Sequence, residues 1–174
     1  PDTRDVEGRL ALETDEWVNH NRGELNTFIK HDSGEQYVIG ADVSMGIRNG
    51  DYSVAIVLDS KKRQVATWRG HVHPDYFATV LFQLGTYYND AFICVQNNSH
   101  GILTCTRLGK DLAYPNFYTE VQHDKITDRE TVKLGFTTTV KTKPLNIETL
   151  RASMREGELE LNDNVKIGEL LSCI

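Results

Sequence analysis

Residues 37–43 read YVIGADV, a short apolar run that is interrupted by one acid near its end. A run of this length, followed by turn residues, predicts a strand buried in a sheet. Asp42 is costly to bury as an ionised carboxylate unless another group compensates its charge. We therefore interpret residues 37–43 as a central strand with Asp42 at its exposed tip, where the carboxylate either binds a metal ion or caps the following turn.

The next two stretches also predict strands. Residues 52–59 are nearly all apolar or β-branched, and residues 64–72 alternate in polarity. The links between the three strands, residues 45–51 and 60–63, are short and rich in turn-forming residues. Short links between consecutive strands favour an antiparallel meander.

Beyond Pro74 the apolar residues adopt helical spacing, which predicts a helix over residues 77–88. A continuously apolar run at residues 91–95 predicts a fourth, buried strand. A second helix is expected at residues 102–112, and a fifth strand near residues 116–121. The pattern thus changes from consecutive strands to alternating helices and strands.

The rest of the chain completes this order. Residues 123–143 are polar and predict an irregular excursion, Pro144 is typical of the first turn of a third helix, and residues 167–174 show helical spacing. We expect an α/β fold with a mixed five-stranded sheet, built from an antiparallel meander plus βα units and flanked by helices. This layout resembles the ribonuclease H-like superfold. We interpret residues 1–36 as a lead-in segment that packs on the domain edge, and residues 37–174 as the domain.

The composition is that of an ordinary globular domain. The 174 residues include 39% hydrophobic and 25% charged residues, which excludes a disordered tail, a collagen-like repeat and a disulfide scaffold. The longest apolar runs are too short to cross a bilayer, so no membrane partner is expected. Cys94, Cys105 and Cys173 are widely spaced and odd in number, which favours reduced structural thiols in a cytosolic compartment.

The net charge limits how the protein could bind nucleic acid. Lys and Arg number 19 while Asp and Glu number 25, which gives a formal charge of −6. A net negative charge argues against a protein that coats nucleic acid, because such proteins usually have an excess of Lys and Arg that attracts the phosphates. The net charge does not argue against an enzyme that binds nucleic acid at one local site, because a site for divalent cations is itself built from carboxylates.

Polar side chains gather at the predicted ends of two strands. Asp51 opens the second strand across the loop from Asp42, and a hairpin would bring the two carboxylates together. Two such charges repel unless a cation lies between them, although Asn-Gly-Asp is also a common turn. Residues 95–101 read VQNNSHG, which is typical of a site rim or of a turn in which Ser99 or Asn98 caps the next helix.

Taken in order, these stretches resemble the nuclease domain of large terminase subunits of tailed bacteriophages. The resemblance extends over roughly residues 36 to 171 and rests on the order and spacing of three motifs. They are residues 39–46 with 50–53, residues 87–91 with 95–101, and residues 135–138 with 143–144.

The resemblance implies a ribonuclease H-like endonuclease that cuts concatemeric double-stranded DNA during genome packaging. It implies phosphodiester hydrolysis with two Mg²⁺ or Mn²⁺ ions, one activating water and the other stabilising the leaving oxygen. Asp42, Asp51 and Gln96 match its catalytic and metal-binding positions, with Asp42 shared by both ions and Asp51 either a metal ligand or a hydrogen-bonding partner of one. The implied partners are the terminase ATPase domain, the small terminase subunit and the portal, in the cytoplasm of the infected or lysogenic bacterial host.

Two features depart from the family's pattern. The family has a glutamate where this chain has Gln96, so the chain is either a natural variant with weakened metal binding or an engineered one. The family's last acidic motif is missing, and we expect the chain to end before it, unless Asp124 or Asp128 takes its place. The sequence also lacks a G-x-x-x-x-G-K-[ST] phosphate loop, so it does not contain the packaging ATPase.

Four cations, Arg48, Lys141, Lys143 and Arg151, are either phosphate contacts or solvated surface charge. Two other functions stay open on the sequence. One is a DNA-holding or docking module that has lost its nuclease activity, which Gln96 and the missing acid favour. Such a module would bind DNA without Mg²⁺ and would not cleave it. A sugar-kinase-like ATP-binding domain shares a related sheet and an acid-containing hairpin, and would be stabilised by ATP.

Overall fold

The computed structural model describes residues 8–124 and 128–163. Within these ranges the chain forms a seven-stranded sheet, a separate two-stranded ribbon and three α-helices. The strands are β1 (Gly8–Glu13), β2 (Glu16–Asn19), β3 (Leu25–Thr27), β4 (Tyr37–Asp42), β5 (Ser53–Asp59), β6 (Gln64–Gly70), β7 (Phe92–Val95), β8 (Thr119–Asp124) and β9 (Arg129–Leu134). The helices are α1 (Pro74–Tyr87), α2 (Gly101–Thr106), which continues into a π-helical turn (Arg107–Asp111), and α3 (Thr142–Arg155).

The predicted meander and the mixed character of the sheet are confirmed. β4, β5 and β6 pair antiparallel in sequence order. The chain then passes through α1 and returns as β7, which pairs with β4 in parallel. Because β4 lies between β5 and β7, the strand that ends in Asp42 is an inner strand of the sheet.

In the described part of the chain the sheet has seven strands, so the predicted number of five is wrong. β1, β2 and β3 come from the predicted lead-in segment, and β3 pairs antiparallel with β6. Leu10 and Leu25 lie opposite each other across β1 and β3 and are buried in the core. Thr14 and Asp15 both have positive φ in the turn between β1 and β2, the geometry of a two-residue hairpin loop. The domain division at residue 36 stays a prediction.

The chain after α2 also differs from the prediction of a fifth strand and an irregular excursion. Around Phe117 it makes an isolated parallel bridge to Ile93 of β7. β8 and β9 then pair with each other antiparallel along their whole length. Val121 and Val132 face each other in this ribbon but are 63% and 65% exposed. Because no face of the ribbon is buried, its sequence shows no clear alternation of apolar and polar residues.

Alternation along β4 defines the two faces of the sheet. Ile39 and Ala41 are buried in the same core as Leu81 and Leu84 of α1. Asp42 points to the opposite face, because successive side chains of a strand alternate between faces. The core thus lies on one side of β4, and the acid at its tip on the other.

Three predicted helices are confirmed. The helix predicted at residues 77–88 is α1, the one at residues 102–112 is α2 with its π-helical turn, and the one around Pro144 is α3. The predicted segment at residues 167–174 lies outside the described residues. Among the helices of the described ranges, none combines the length and apolar character needed to span a membrane.

A buried carboxylate fixes the turn between β5 and β6. The side chain of Asp59 is 2% exposed; its Oδ2 accepts from Arg63 Nε at 2.8 Å, and its Oδ1 from the backbone N–H of Lys61 at 3.0 Å. Asp59→Ala would leave these donors unpaired, so we expect the free energy of unfolding to fall by about 2–3 kcal/mol. Urea denaturation measures this change. Glu158→Ala, which breaks an exposed pair with Lys62, is the control, and equal losses in both variants would contradict the prediction.

The Cys105 thiol is expected to be unreactive in the folded protein. Cys94 and Cys105 are free cysteines, and Cys173 lies outside the described residues. Burial raises the pKa of Cys105 to about 12, so almost none of it is the nucleophilic thiolate at pH 8. Unfolding returns the pKa to its ordinary range, and iodoacetamide should then label this cysteine. Peptide mass spectrometry measures both rates, and equal labelling of Cys105 in native and denatured protein would contradict the expectation.

Candidate metal and DNA site

Asp42 and Asp51 line the same cavity, of about 380 Å³, at the end of β4. Asp42 is the last residue of β4, Asp51 lies just before β5, and both are exposed. The loop between them is closed at its base because the N–H of Ser44 donates to Ser53 Oγ at 3.0 Å. The hairpin therefore presents two carboxylates to one solvent-accessible space.

The loop that joins the two acids is held close to the segment before α1. Gly46 has a φ of +73°, and a Cβ at this position would collide with the carbonyl oxygen of Val72. Its N–H also lies 3.3 Å from Ser44 Oγ, which turns the chain back on itself. Only glycine combines this backbone conformation with this close approach, so the loop's course is fixed by its sequence.

Gln96 follows the neighbouring strand at the same end of the sheet. Its N–H donates to the carbonyl oxygen of Ala41 at 2.9 Å, which continues the parallel pairing of β7 with β4 by one residue. This register places Gln96 beside Asp42. Gly101 packs against the carbonyl oxygen of Gln96 so closely that a Cβ would collide with it, and α2 therefore starts directly against this strand end.

Asn97 and Asn98 form hydrogen bonds between two motifs that are far apart in the sequence, residues 95–101 and residues 135–138. Asn97 Nδ2 donates to the carbonyl oxygen of Leu134 at 2.8 Å, and its Oδ1 accepts from Thr137 Oγ1 at 3.0 Å. Asn98 Nδ2 donates to the carbonyl oxygen of Thr138, whose N–H donates back to Asn98 Oδ1. The capping alternative is wrong, because α2 begins after His100 with no side-chain cap. The asparagines anchor the loop after β9 instead.

The predicted cations fall into two groups. Arg48 is exposed in the loop between Asp42 and Asp51. Lys143 and Arg151 line a different cavity, of about 560 Å³, on α3, and Lys141 immediately precedes that helix. The structure thus places Arg48 near the acids and the other three on a separate surface, while their contacts with DNA stay predictions.

His100, in the candidate site rim of residues 95–101, lines the cavity of Asp42 and Asp51. Tyr52 and Arg69 were not among the candidates from the sequence. Tyr52 and Arg69 line a second cavity, of about 780 Å³, which also includes both acids. The alternation of side chains along β6 could have identified Arg69 as a site residue. This would have required the pairing register of β4, β5 and β6, which places Arg69 on the same face of the sheet as Asp42.

The larger cavity lies between the open face of the sheet and the C-terminal part of the described chain. Leu150 of α3, Leu159 and Leu161 line it together with sheet residues. The chain reaches this position because Gln64, at the start of β6, accepts from the N–H of Asn162 through Oε1 at 2.8 Å. The acids therefore lie at the polar end of a largely apolar groove.

The donors at the site fit a hard divalent cation. Carboxylate and amide oxygens are ligands that Mg²⁺ binds, together with several waters. In residues 8–124 and 128–163, however, no group of three or more His, Cys, Asp or Glu side chains is close enough to form a site by itself. Asp42 and Asp51 are thus the carboxylates that the described ranges bring to this cavity, and Gln96 follows the neighbouring strand beside Asp42.

Comparison with solved structures shows the same fold in phage proteins. The chain is similar to the large terminase nuclease of the thermophilic phage G20c with bound cobalt, at 21% identity and a TM-score of 0.66, covering 87% of this chain and 71% of that one. The same nuclease with bound magnesium gives 20% identity, a TM-score of 0.66 and the same coverage. The nuclease domain of the large terminase of Thermus phage P74-26 gives 21% identity and a TM-score of 0.63, covering 87% and 69%.

No protein-family model matches the chain, and no curated protein does. The likeness to the solved structures confirms the predicted α/β, ribonuclease H-like fold class and shows that the chain has the fold of large terminase nuclease domains.

Proposed function

We propose that the protein is a divalent-metal-dependent DNA endonuclease. The observation that carries the proposal is the pair of exposed carboxylates, Asp42 and Asp51, on one cavity at the tip of an inner strand. The similar nuclease of phage G20c is described with cobalt, magnesium and zinc bound. A carboxylate pair on this fold is suited to holding a divalent cation against a DNA phosphate.

In this proposal Asp42 and Asp51 hold Mg²⁺ or Mn²⁺, and Gln96 contributes its amide oxygen. When bound, the ion supplies Lewis-acid polarisation of the phosphate and lowers the pKa of bound water. The carboxylates keep the site negative, and Arg48 beside them offers a contact to the DNA backbone. Two ions are expected, with Asp42 shared between them. The second ion needs oxygen donors beyond this set.

The biological role proposed from the fold is genome packaging in a tailed bacteriophage. There the nuclease would cut concatemeric double-stranded DNA in the cytoplasm of the bacterial host. Its partners would be the terminase ATPase domain, the small terminase subunit and the portal. The DNA contacts proposed for α3 and its start are Lys141, Lys143 and Arg151, of which Arg151 also pairs with Glu148 at 3.8 Å.

Metal removal tests the proposed activity. Supercoiled plasmid incubated with the protein and Mn²⁺ or Mg²⁺ should be converted to nicked and linear forms, and EDTA should stop the conversion because the carboxylates then lack their cation. Gel electrophoresis measures the three forms. Gln96→Glu should be assayed in parallel, because the amide could make the parent chain slow. A folded protein that leaves the plasmid intact in both versions, with either metal, would contradict the proposal.

A DNA-holding module is the second candidate, and the small donor set favours it. Two carboxylates with the uncharged Gln96 hold a cation less strongly than three carboxylates would. Such a module would retard labelled duplex DNA equally in Mg²⁺ and in EDTA, without cleavage. Binding that depends on the metal, or any metal-dependent nicking, would favour the nuclease instead.

A further inference from the structure

We propose that Met45 and Ile47 form an apolar wedge that enters double-stranded DNA and unstacks one base step beside the scissile phosphate. Both residues lie in the loop between Asp42 and Asp51. The inference rests on the proposed nuclease function and deepens it, because it names the form of DNA that the site takes. That substrate is a duplex that is distorted, or easily distorted, at the step to be cut.

The wedge belongs to a surface of exposed apolar side chains. Met45 and Ile47 are 53% and 57% exposed, and Ile102 and Leu103 at the start of α2 are 61% and 45% exposed. Met45 lines the cavity of about 380 Å³ together with Ile47, and a cavity of about 550 Å³ together with Ile102 and Leu103. The four side chains are therefore neighbours on one surface rather than scattered singly, and apolar surfaces of this kind mark binding sites.

The position of the wedge indicates what it contacts. Met45 and Ile47 line the same cavity as Asp42 and Asp51, so DNA that brings a phosphate to the two acids also meets the wedge. An apolar side chain gains nothing from a phosphate oxygen, whereas the faces of bases and sugars are largely apolar. Proteins that kink DNA insert side chains such as isoleucine and methionine between base steps from the minor groove.

The backbone holds the wedge in a fixed place. A Cβ at Gly46, between the two wedge residues, would collide with the carbonyl oxygen of Val72. The N–H of Gly50 donates to the carbonyl oxygen of Ile47 at 2.9 Å and closes a turn in which Asn49 has a φ of +78°. Because the loop is already ordered, inserting its side chains into DNA costs little further conformational entropy.

Arg48 favours DNA over a protein as the occupant of this surface. It lies in the same turn, directly after Ile47, and is exposed. A guanidinium in that position can bind a backbone phosphate while the neighbouring Ile47 meets a base or a sugar. A cation beside an apolar wedge thus matches the charged backbone and the apolar base faces of a DNA strand.

The test compares a fully paired duplex with the same duplex carrying two adjacent mismatches at its centre. Dissociation constants are measured by fluorescence anisotropy in Ca²⁺ and in EDTA, with fluorescein on one strand. The parent protein should bind the mismatched duplex about tenfold more tightly, because the mismatched step costs less to unstack. Ile47→Ser and Met45→Ser each remove an apolar side chain, so this preference should fall to about threefold or less.

A conservative variant and a distant variant are the controls. Ile47→Leu keeps an apolar side chain of the same size and should keep the preference of the parent protein. Val121→Ser makes the same kind of change at a side chain that is 63% exposed on β8, outside the main sheet, and should also keep the preference. In the fully paired duplex, 2-aminopurine placed along one strand should brighten when the parent protein binds and stay dim with Ile47→Ser, because stacking quenches this base.

The proposal is overturned if the parent protein binds the two duplexes equally or binds neither, or if Ile47→Ser and Met45→Ser keep the full preference. A surface that docks a protein instead of DNA would give one of these results. Loss of the preference to the same extent in Val121→Ser would overturn the proposal as well.

Failure of the wedge and failure of the nuclease are distinguishable. Plasmid cleavage in Mn²⁺ is measured on the same preparations. If no version cleaves DNA but Ile47→Ser loses the preference for mismatched DNA, the nuclease proposal fails and the wedge stands. If the parent chain cleaves and Ile47→Ser keeps the preference, the nuclease proposal stands and the wedge is overturned.

Discussion

Asp42→Asn is expected to reduce metal-dependent plasmid cleavage by about a hundredfold or more, without loss of folding. The substitution keeps the size of the side chain but removes the charge at the tip of β4, where Asp42 faces the cavity it shares with Asp51. A divalent ion held by two carboxylates would lose half of that charge. Because Asp42 is exposed, no core packing is disturbed.

The control for this prediction is a second exposed aspartate far from the site. Asp15 lies in the turn between β1 and β2, at the opposite edge of the sheet, with a φ of +67° that asparagine also tolerates. Asp15→Asn should cleave like the parent protein. Initial rates of nicking and thermal unfolding are measured for all versions. Cleavage by Asp42→Asn within threefold of the parent rate would show that Asp42 is not the metal ligand.

Gln96→Glu is expected to tighten Mn²⁺ binding about tenfold and to raise the cleavage rate at limiting metal concentration. The reason is the register of β7 with β4, which places residue 96 beside Asp42. A carboxylate there would add a third negative charge to the site. The gain should shrink at saturating Mn²⁺, because occupancy of the site is then no longer limiting.

Mn²⁺ titration followed by electron paramagnetic resonance measures the affinity of both versions. Gln122→Glu is the matched control, because Gln122 is exposed on β8, outside the main sheet, and the change adds the same charge there. It should leave the affinity unchanged. An equal gain in affinity in both variants would mean that the added negative charge attracts Mn²⁺ at long range rather than binding it. No gain in Gln96→Glu would show that residue 96 is not a metal ligand.

The central strands and α1 were predictable because their apolar residues follow clear sequence patterns. β4, β5 and β7 are apolar runs, α1 has a helical stripe, and the short links could only give a meander. The three N-terminal strands were missed because they are three to six residues long, and their burial rests on a few contacts such as Leu10 with Leu25. The ribbon of β8 and β9 was missed because Val121 and Val132 stay exposed, so no buried face shapes its sequence.

The site was predictable only in part. Asp42 and Asp51 are close in sequence, so the prediction of a hairpin was enough to infer that they lie together. The partners of Asn98 were not predictable, because its bonds to Thr138 span forty residues. Arg69 required the pairing of β4, β5 and β6 to be known residue by residue, since shifting one strand by a single position would move it to the other face.

Anomalous diffraction from crystals of the protein soaked in Mn²⁺ tests the proposed metal site most directly. We expect an anomalous peak between the carboxylates of Asp42 and Asp51, which Asp42→Asn crystals should lack. Manganese peaks elsewhere on the molecule, with none at Asp42 under saturating metal, would contradict the proposal that this carboxylate pair is a metal site.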